Sequence, residues 1–338
     1  MKICVLSPFS HSFLELKARL NASVVLYHWQ VVRFRANVPW RGKTVRVLEE
    51  FVNFLRLMLA LKLYSKEWVI VADAYHVSTL FFGKWLTFLG RRKKIYCFNL
   101  FVQRLYGNFL AKRVLRFLLG KDVALAIYSE NDFRYFKELN PLLDVRYIPW
   151  SGSLTTEVAD SLVADNGYVF SGGTSNRDYD FLVRCARLVP GLAFEIVCSR
   201  VNTISQPLSA NIRVRHDIPQ NEFHDIMAGS RAVVIPLKEN IGSSGQMVSI
   251  ASMSLGKTTV FPDFPSVSQY FEDGTTGLMY RGGDEDSLVS ILKLVKSDSK
   301  RCSEIGREAY TSWDRKFNGD RFAGAVIDHI KDFFWSAR

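Results

Sequence analysis

The sequence predicts an α/β protein made of two Rossmann-like domains that face each other across a cleft. Three observations predict this class. Short apolar runs of strand length alternate with longer helical patterns, which is typical of a parallel, doubly wound sheet. A polar stretch over residues 151–167 interrupts the alternation, which then begins again. The length of 338 residues also exceeds the size at which one hydrophobic core usually keeps growing.

The first predicted domain covers residues 1–150, and its six strands are expected from KICVLSPF, ASVVLYHW, WVIVADAY, KIYCFNLF, DVALAIYS and DVRYIPW. Residues 151–167 form the predicted linker. The second domain, residues 168–315, is expected to contain the strands YVFSGG, AFEIVCS, NIRVRHD, RAVVIPL, KTTVFP and GLMY. The segment 316–338 carries the helical pattern RFAGAVIDHIKDFFW, which is too apolar for a free tail. We therefore predict that it packs back on the first domain.

Positive charge is concentrated in the first domain. Residues 1–150 contain 24 Lys/Arg against 10 Asp/Glu, a net charge of +14, whereas the remainder contains 20 against 23, a net charge of −3. Attraction to phosphates is additive over such charges, so the asymmetry indicates a polyanionic partner, either an acidic membrane surface or a nucleic acid.

The five cysteines are scattered and show no CxxC spacing. An odd number of cysteines in apolar runs predicts buried structural thiols and a reducing compartment. The first apolar run has only the length of a strand, and no stretch reaches the about eighteen uncharged residues of a membrane span. We therefore expect a cytoplasmic protein without a signal peptide.

The strand YVFSGG runs through Gly172 and Gly173 into a polar turn before the helical pattern YDFLVRCARL. Glycines at the carboxyl end of a strand let the backbone approach a ligand, and ligands of open α/β sheets bind at that edge. Thr174 and Arg177 lie in the turn, where Arg177 can make charge-assisted bonds to a diphosphate. The alternative is an ordinary turn with an arginine on its surface.

A second candidate for phosphate binding follows the run RAVVIPL. The segment KENIGSSGQ leads into a helical pattern, so Ser243, Ser244, Gly245 and Gln246 stand at a helix start, where free N–H groups and the helix dipole favour an anion. The alternative is that Ser243 or Ser244 is a plain N-cap. Two such elements, about 70 residues apart, favour a nucleotide diphosphate.

Three segments of the second domain match motifs of one enzyme family. The run SGG followed by RDYDFL is similar to a glycine-containing strand end with its phosphate-binding basic residue. SMSLGKTTV is similar to an AMAxGxPV segment, and DGTTGLMYRGGDEDSL to a D-G-x-x-G-hydrophobic stretch with its following aspartate. In these motifs the chain resembles the GT-B glycosyltransferases, particularly the family-4-like group. The resemblance extends over nearly the whole chain and implies a nucleotide-sugar donor and transfer with retention of configuration.

The sequence departs from this family at its paired glutamates, which are separated by seven residues. Their positions fall on Ser243 and Ala251, neither of which is acidic, so the ribose-binding and catalytic roles of the glutamates do not transfer. Glu239 and Gln246 lie close to these positions. They are our candidates for holding ribose or sugar hydroxyls instead.

Polar residues after the strands of the first domain are candidates for an acceptor site. His11 follows the first strand and is a candidate general base or acceptor contact, with a structural histidine as the alternative. The resemblance implies that a polar group near Asn99 contacts the donor sugar. Arg177 would stabilise the charge of the leaving phosphate. These three are the predicted catalytic residues.

Two D-x-D sequences, at 178–180 and 284–286, match the pattern by which GT-A transferases hold Mn²⁺ or Mg²⁺. Each is better explained by acidic residues at a helix N-terminus, which complement the helix dipole. A GT-A enzyme would also carry its nucleotide fold at the beginning of the chain. We therefore expect no metal and no other cofactor.

Bulky apolar residues are mixed with Lys and Arg in three segments of the first domain, among them residues 101–121. This composition fits an interfacial helix, whose cations each contribute about 1 kcal/mol near an anionic surface. Core helices with solvated basic faces are the alternative. Because no HTH, RRM, KH or zinc pattern is present, nucleic acid is not the expected partner. We predict peripheral attachment to the inner face of the membrane through the basic first domain.

Taken together, these features predict a glycosyltransferase that moves a sugar from a nucleotide-sugar donor to a glycan or lipid-linked acceptor. The expected setting is bacterial surface polysaccharide or glycolipid synthesis. A GT-B-shaped protein that binds nucleotide-sugar or a partner without transfer is the alternative that the missing glutamates allow. An enzyme that interconverts nucleotide-sugars, such as an epimerase, shares the architecture and would form product without an acceptor.

Overall fold

A computed structural model of the chain describes residues 2–6, 25–29, 68–73, 94–98, 109–151, 164–238 and 244–335. The chain forms two compact units. The first comprises Met1–Ile148 and Ala323–Arg338, and the second comprises Pro149–Phe322. Each unit contains a parallel six-stranded sheet of described residues, which confirms the predicted α/β class.

The strands described in the first unit are β1 (Lys2–Leu6), β2 (Val25–Trp29), β3 (Trp68–Asp73), β4 (Ile95–Phe98), β5 (Val123–Ile127) and β6 (Asp144–Tyr147). Their order in the sheet is β2-β1-β3-β4-β5-β6, and all neighbours are parallel. Every residue of β5 is buried. A strand that is apolar throughout is expected where both faces of a parallel sheet are covered.

The strands of the second unit are β7 (Tyr168–Gly172), β8 (Ala193–Cys198), β9 (Ile212–His216), β10 (Ala232–Val234), β11 (Thr258–Pro262) and β12 (Leu278–Tyr280). The order β12-β11-β10-β7-β8-β9 is that of a Rossmann sheet, and all neighbours are parallel. The strand order reverses between β7 and β10. In open α/β sheets, ligands bind outside the carboxyl ends of the strands at this reversal.

The helices within the described ranges are α1 (Phe109–Leu118), α2 (Glu130–Leu139), α3 (Tyr179–Arg187), α4 (Gln220–Ala228), α5 (Gln246–Ser254), α6 (Pro265–Ser268), α7 (Glu285–Ser297), α8 (Ser299–Lys316) and α9 (Gly319–Trp335). None of these helices is both long enough and apolar enough to cross a membrane.

The sheet of the second unit is covered on both faces, because successive residues of a strand point to opposite sides. Val169 of β7 packs in one core cluster with Leu182 of α3. The next residue, Phe170, packs in the other cluster with Met227 of α4 and Ile250 of α5. With both faces of β7 buried, only the end of the strand and the loop that follows it can meet a ligand.

Helix α9 contributes to the core of the first unit. The side chain of His329 is fully buried, with its Nδ1 2.9 Å from the hydroxyl of Tyr96 and its Nε2 3.1 Å from Asp144 Oδ1. At the surface, Arg146 forms an ion pair with Asp332 at 2.9 Å. These contacts hold α9 against β4 and β6.

Cys97, Cys185, Cys198 and Cys302 are free and buried. Burial raises the pKa of Cys185 to about 12 and that of Cys302 to about 11. These thiols stay protonated at neutral pH and pack as small apolar groups.

Candidate functional site

Gly173, which follows β7, has a backbone conformation that favours glycine. Its φ is +111°, and a Cβ atom at this position would lie 2.6 Å from Nη2 of Arg177. Gly172 is restricted by packing instead, because its Cβ would lie 2.6 Å from the ring of Phe223. Both predicted glycines are therefore needed for the path of the loop.

Arg177 lies beneath this loop rather than on the surface. Its side chain is buried, with 6% exposure, and its Nε and Nη1 donate to the carbonyl oxygens of Gly172 at 3.0 Å and Ser175 at 2.8 Å. Burial lowers the pKa of the guanidinium. No carboxylate pairs with it among the described residues, and Nη2 is the nitrogen nearest Gly173. The guanidinium thus braces the loop and supplies a positive charge that no described acid neutralises.

Three further contacts fix the loop between β7 and α3. The buried hydroxyl of Tyr179 donates to Gly173 O at 2.5 Å, and Nδ2 of Asn202 donates to Thr174 O at 2.9 Å. The amide of Asp178 donates to Pro236 O at 3.0 Å. This last bond joins the loop to the segment after β10, on the other side of the strand reversal.

The first D-x-D sequence serves two structural purposes. Asp178 is the N-cap of α3 and accepts a hydrogen bond from the amide of Phe181 at 3.0 Å. Asp180 Oδ1 accepts from the amides of Ser205 at 2.7 Å and Gln206 at 3.1 Å, which anchors the loop after β8.

The second D-x-D sequence also lies at a helix start. Asp284 is the N-cap of α7, accepts from the amide of Ser287 at 3.0 Å and pairs with Arg281 at 2.9 Å. The prediction that both sequences place acidic residues at a helix N-terminus agrees with these bonds.

The N-terminus of α5 has no side-chain cap. Its N-cap residue is Gly245, with a φ of +90°, and a Cβ there would lie 2.5 Å from Val267. Ser244 therefore does not hold the N-cap position, and Ser243 lies outside the described residues. Gly245 offers no side-chain oxygen to the first-turn N–H groups of α5, and helix N–H groups of this kind suit an anion.

The two loops leave the sheet side by side. β7 and β10 are parallel neighbours, with Val169 opposite Ala232 and Phe170 opposite Val233. The glycine loop therefore follows β7 at the same edge where the segment leading to α5 follows β10. The amide of Lys238 donates to Asn176 O at 3.2 Å, which ties the two segments together.

The predicted site residues divide into three sets. The first lies in the β7–α3 loop and comprises Gly172, Gly173, Thr174 and Arg177. The second lies at the start of α5 and comprises Ser244, Gly245 and Gln246, of which Gln246 is buried. The remainder lie outside the described residues: His11, Asn99, Glu239 and Ser243.

Sequence reasoning missed the contribution of the loop after β8. Asn202 supports the glycine loop and also lines a cavity of about 390 Å³, together with Arg200, Ile204, Val214 and His216. The rule that ligands meet the carboxyl ends of strands could have drawn attention to Asn202, because β8 ends at Cys198. No sequence pattern indicated the hydroxyl of Tyr179.

No family model and no curated protein matches the sequence. Among solved structures, the chain is similar to sucrose-phosphate synthase from Thermosynechococcus elongatus, with a TM-score of 0.74, 14% identity and 100% of both chains covered. Anabaena HepE in complex with UDP and glucose gives a TM-score of 0.70 and 13% identity over 98% of this chain and 100% of that chain. A trehalose-6-phosphate synthase studied for glycosyl transfer with retention gives a TM-score of 0.68 and 12% identity over 98% of this chain and 99% of that chain.

These similarities extend along the whole chain, at identities that speak for the fold alone. They agree with the two parallel sheets described above and confirm the fold that the motifs of the second domain implied. The chain therefore has the fold of the GT-B glycosyltransferases.

Proposed function

We propose that the protein is a glycosyltransferase that moves a sugar from a nucleoside-diphosphate donor to a glycan or lipid-linked acceptor. The observation that carries this proposal is the pair of backbone elements at the strand reversal of the second unit. The glycine loop after β7 and the uncapped start of α5 both suit an anion, and they follow neighbouring strands. The similarity to HepE, whose structure contains UDP and glucose, supports a uridine nucleotide as the first donor to test.

The proposed chemistry is electrostatic. As the bond between sugar and phosphate breaks, negative charge develops on the leaving diphosphate. The N–H groups at the start of α5 and the charge of Arg177 are held in place before the reaction, so they stabilise this charge without reorganisation. Asp178 and Asp284 already cap helices, which supports a reaction that does not route through a D-x-D metal site.

The acceptor and the cellular setting belong to the same proposal. The net charge of +14 over residues 1–150 supports a place at the inner face of the membrane, where lipid-linked acceptors of bacterial surface polysaccharide or glycolipid synthesis are found. The similarity to a synthase studied for transfer with retention supports a retaining reaction.

The proposal is tested by screening nucleotide-sugars in thermal shift and then assaying the best donor against lipid-linked acceptors. Arg177→Ala should lower turnover by about 10² or more, because it removes a charge that stabilises the leaving group. Arg184→Ala is the matched control. This arginine lies on α3, outside the glycine loop, and its Nε is 2.5 Å from Glu285 Oε1. Near-normal turnover in folded Arg177→Ala protein would refute the leaving-group role.

One observation favours a second candidate, a protein that binds nucleotide-sugar without transferring it. The resemblance places the family's second glutamate position at Ala251, which is 8% exposed in α5 and brings no carboxylate. Donor binding without turnover against any membrane extract would support this candidate. Product formation without an acceptor would instead identify an epimerase.

A further inference from the structure

Helix α1 exposes a row of large apolar side chains. Phe109, Leu110 and Phe117 are 73%, 70% and 65% exposed, and Val114 is 37% exposed. Single exposed apolar side chains are normal on a globular domain. Four of them on a helix of ten residues are more than scattered single side chains and indicate an interaction surface.

A different face of α1 attaches the helix to its own unit. Leu115 and Leu118 are only 3% and 1% exposed. With about 100° between successive residues, these two leucines lie on the side of the helix away from Phe117 and Leu110. The helix therefore carries apolar residues on two sides, of which the leucine side is buried and the other is largely exposed.

Three cations lie on the same helix: at about 100° per residue, Arg113 falls between Phe109 and Phe117, and Arg116 and Lys112 fall on the other side of Phe109. Lys112, Arg113 and Arg116 are the charged residues of α1, which contains no acid. The Arg113 guanidinium lies 5.9 Å from the ring centre of Phe109, and Arg116 Nε donates to Leu139 O at 2.9 Å. None of the three cations has a carboxylate partner within the described ranges.

We propose that the outer face of α1, formed by Phe109, Leu110, Val114 and Phe117, docks the protein on an anionic lipid membrane. The apolar side chains enter the headgroup boundary, while Lys112 and Arg113 lie near lipid phosphates. A second copy of the chain would match the apolar row, but it would bring the same cations. Charge complementarity therefore selects the membrane, and the +14 of residues 1–150 acts in the same direction.

This proposal rests on the proposed function only in its purpose, which is to bring the enzyme to a lipid-linked acceptor. The docking is assigned to α1, whereas the two loops proposed to bind the diphosphate lie in the second unit. The two proposals can therefore fail separately, provided that lipid binding and donor binding are measured on the same samples.

The test is co-sedimentation of the full chain with vesicles of equal parts phosphatidylglycerol and phosphatidylcholine, and with phosphatidylcholine alone. We expect strong binding only to the first. The double variant Phe109→Ser, Phe117→Ser should lower the partition coefficient at least about tenfold, because it removes most of the inserted apolar area. Lys112→Glu with Arg113→Glu should lower it roughly fivefold for each cation lost, and more at low ionic strength.

The matched control is Leu188→Ser with Val201→Ser, which changes two exposed apolar residues of the second unit, 56% and 76% exposed. This variant should bind vesicles like the original chain. Thermal unfolding and donor binding should be unchanged in every variant, since all the positions are exposed. Undiminished vesicle binding by the Phe109→Ser, Phe117→Ser chain would overturn the proposal. The proposal would also be overturned if sedimentation velocity showed that the original chain is a dimer and that this variant is a monomer, with vesicle binding unchanged.

Discussion

At the scale of single residues, Arg177 shows how a buried cation can prepare an anion site. Removing a guanidinium from water costs free energy unless hydrogen bonds and an opposite charge compensate it. In the described structure two backbone carbonyls supply the hydrogen bonds, and no acid supplies the charge. An anionic ligand at the adjoining loop would offset part of this cost, so ligand binding and burial of Arg177 support each other.

The glycine above this guanidinium gives the first residue-scale prediction. Gly173→Ala places a Cβ 2.6 Å from Nη2 of Arg177 at a φ of +111°, so the guanidinium must move. We expect a loss of stability of about 1–3 kcal/mol and a donor affinity at least about tenfold lower. Chemical denaturation and titration with the best donor measure the two effects.

Gly274→Ala is the control for this prediction. Gly274 also has a positive φ, of +72°, but a Cβ there would meet nothing within 4 Å. It should lose stability through backbone strain and keep its donor affinity. If both variants bound donor equally well, the placement of Arg177 beneath Gly173 would not matter for binding.

At the scale of elements, the approximate positions of the strands could be predicted better than the side chains around them. The run YVFSGG predicted β7 because a strand of this kind is marked by its own residues, an apolar run that ends in glycines. The burial of Arg177 depends on a bridge to Leu237, which is 60 residues away in sequence. A Cβ at Gly245, the N-cap of α5, would lie 2.5 Å from Val267, which is also distant in sequence. Such distant contacts leave no local pattern, so the sequence could place the loop but not orient its arginine.

The two neighbouring loops give a prediction about which part of a ligand they bind. If the glycine loop and the start of α5 hold a diphosphate, UDP should stabilise the protein more than UMP, and UMP more than uridine. At about one hundred times its dissociation constant, UDP would add about 2.7 kcal/mol to the free energy of unfolding. Thermal shift with the three ligands at equal concentration measures this order. Equal shifts from UDP and uridine would show that the base dominates binding.

At the scale of the whole molecule, a buried histidine joins distant parts of the chain. His329 of α9 contacts Tyr96 of β4 and Asp144 of β6, although more than 180 residues separate it from each of them. The predicted helical pattern could identify an apolar segment near this end of the chain. The pattern could not show that His329 is buried, because its partners Tyr96 and Asp144 lie far away in sequence.

This anchor predicts a dependence of stability on pH. The hydrogen bond from His329 lowers the pKa of Asp144 below its ordinary value. The unfolded chain therefore takes up the proton first, so the stabilisation is complete above about pH 5 and is lost as the pH falls through the lowered pKa. Asp144→Asn should flatten the fall in unfolding free energy between about pH 5 and 3. Denaturation curves across this range measure the slope.

Asp332→Asn is the comparison for this pH dependence, because it breaks only the exposed pair with Arg146. Exposed pairs contribute little, so its curve should run parallel to that of the original chain. An unchanged acid slope in Asp144→Asn would mean that other carboxylates determine the acid sensitivity.

The position of α9 also affects how the chain can fold while it is being synthesised. The second unit is continuous in sequence, but the first unit needs residues from 323 onward to fill its core. At the usual 5–20 residues per second, a ribosome takes roughly ten to thirty-five seconds to make the intervening segment. Throughout that time the emerging first unit lacks its buried histidine, and the apolar surface that α9 covers stays exposed. The first unit therefore starts to emerge before the second unit but receives the last residues of its core after the second unit has been made.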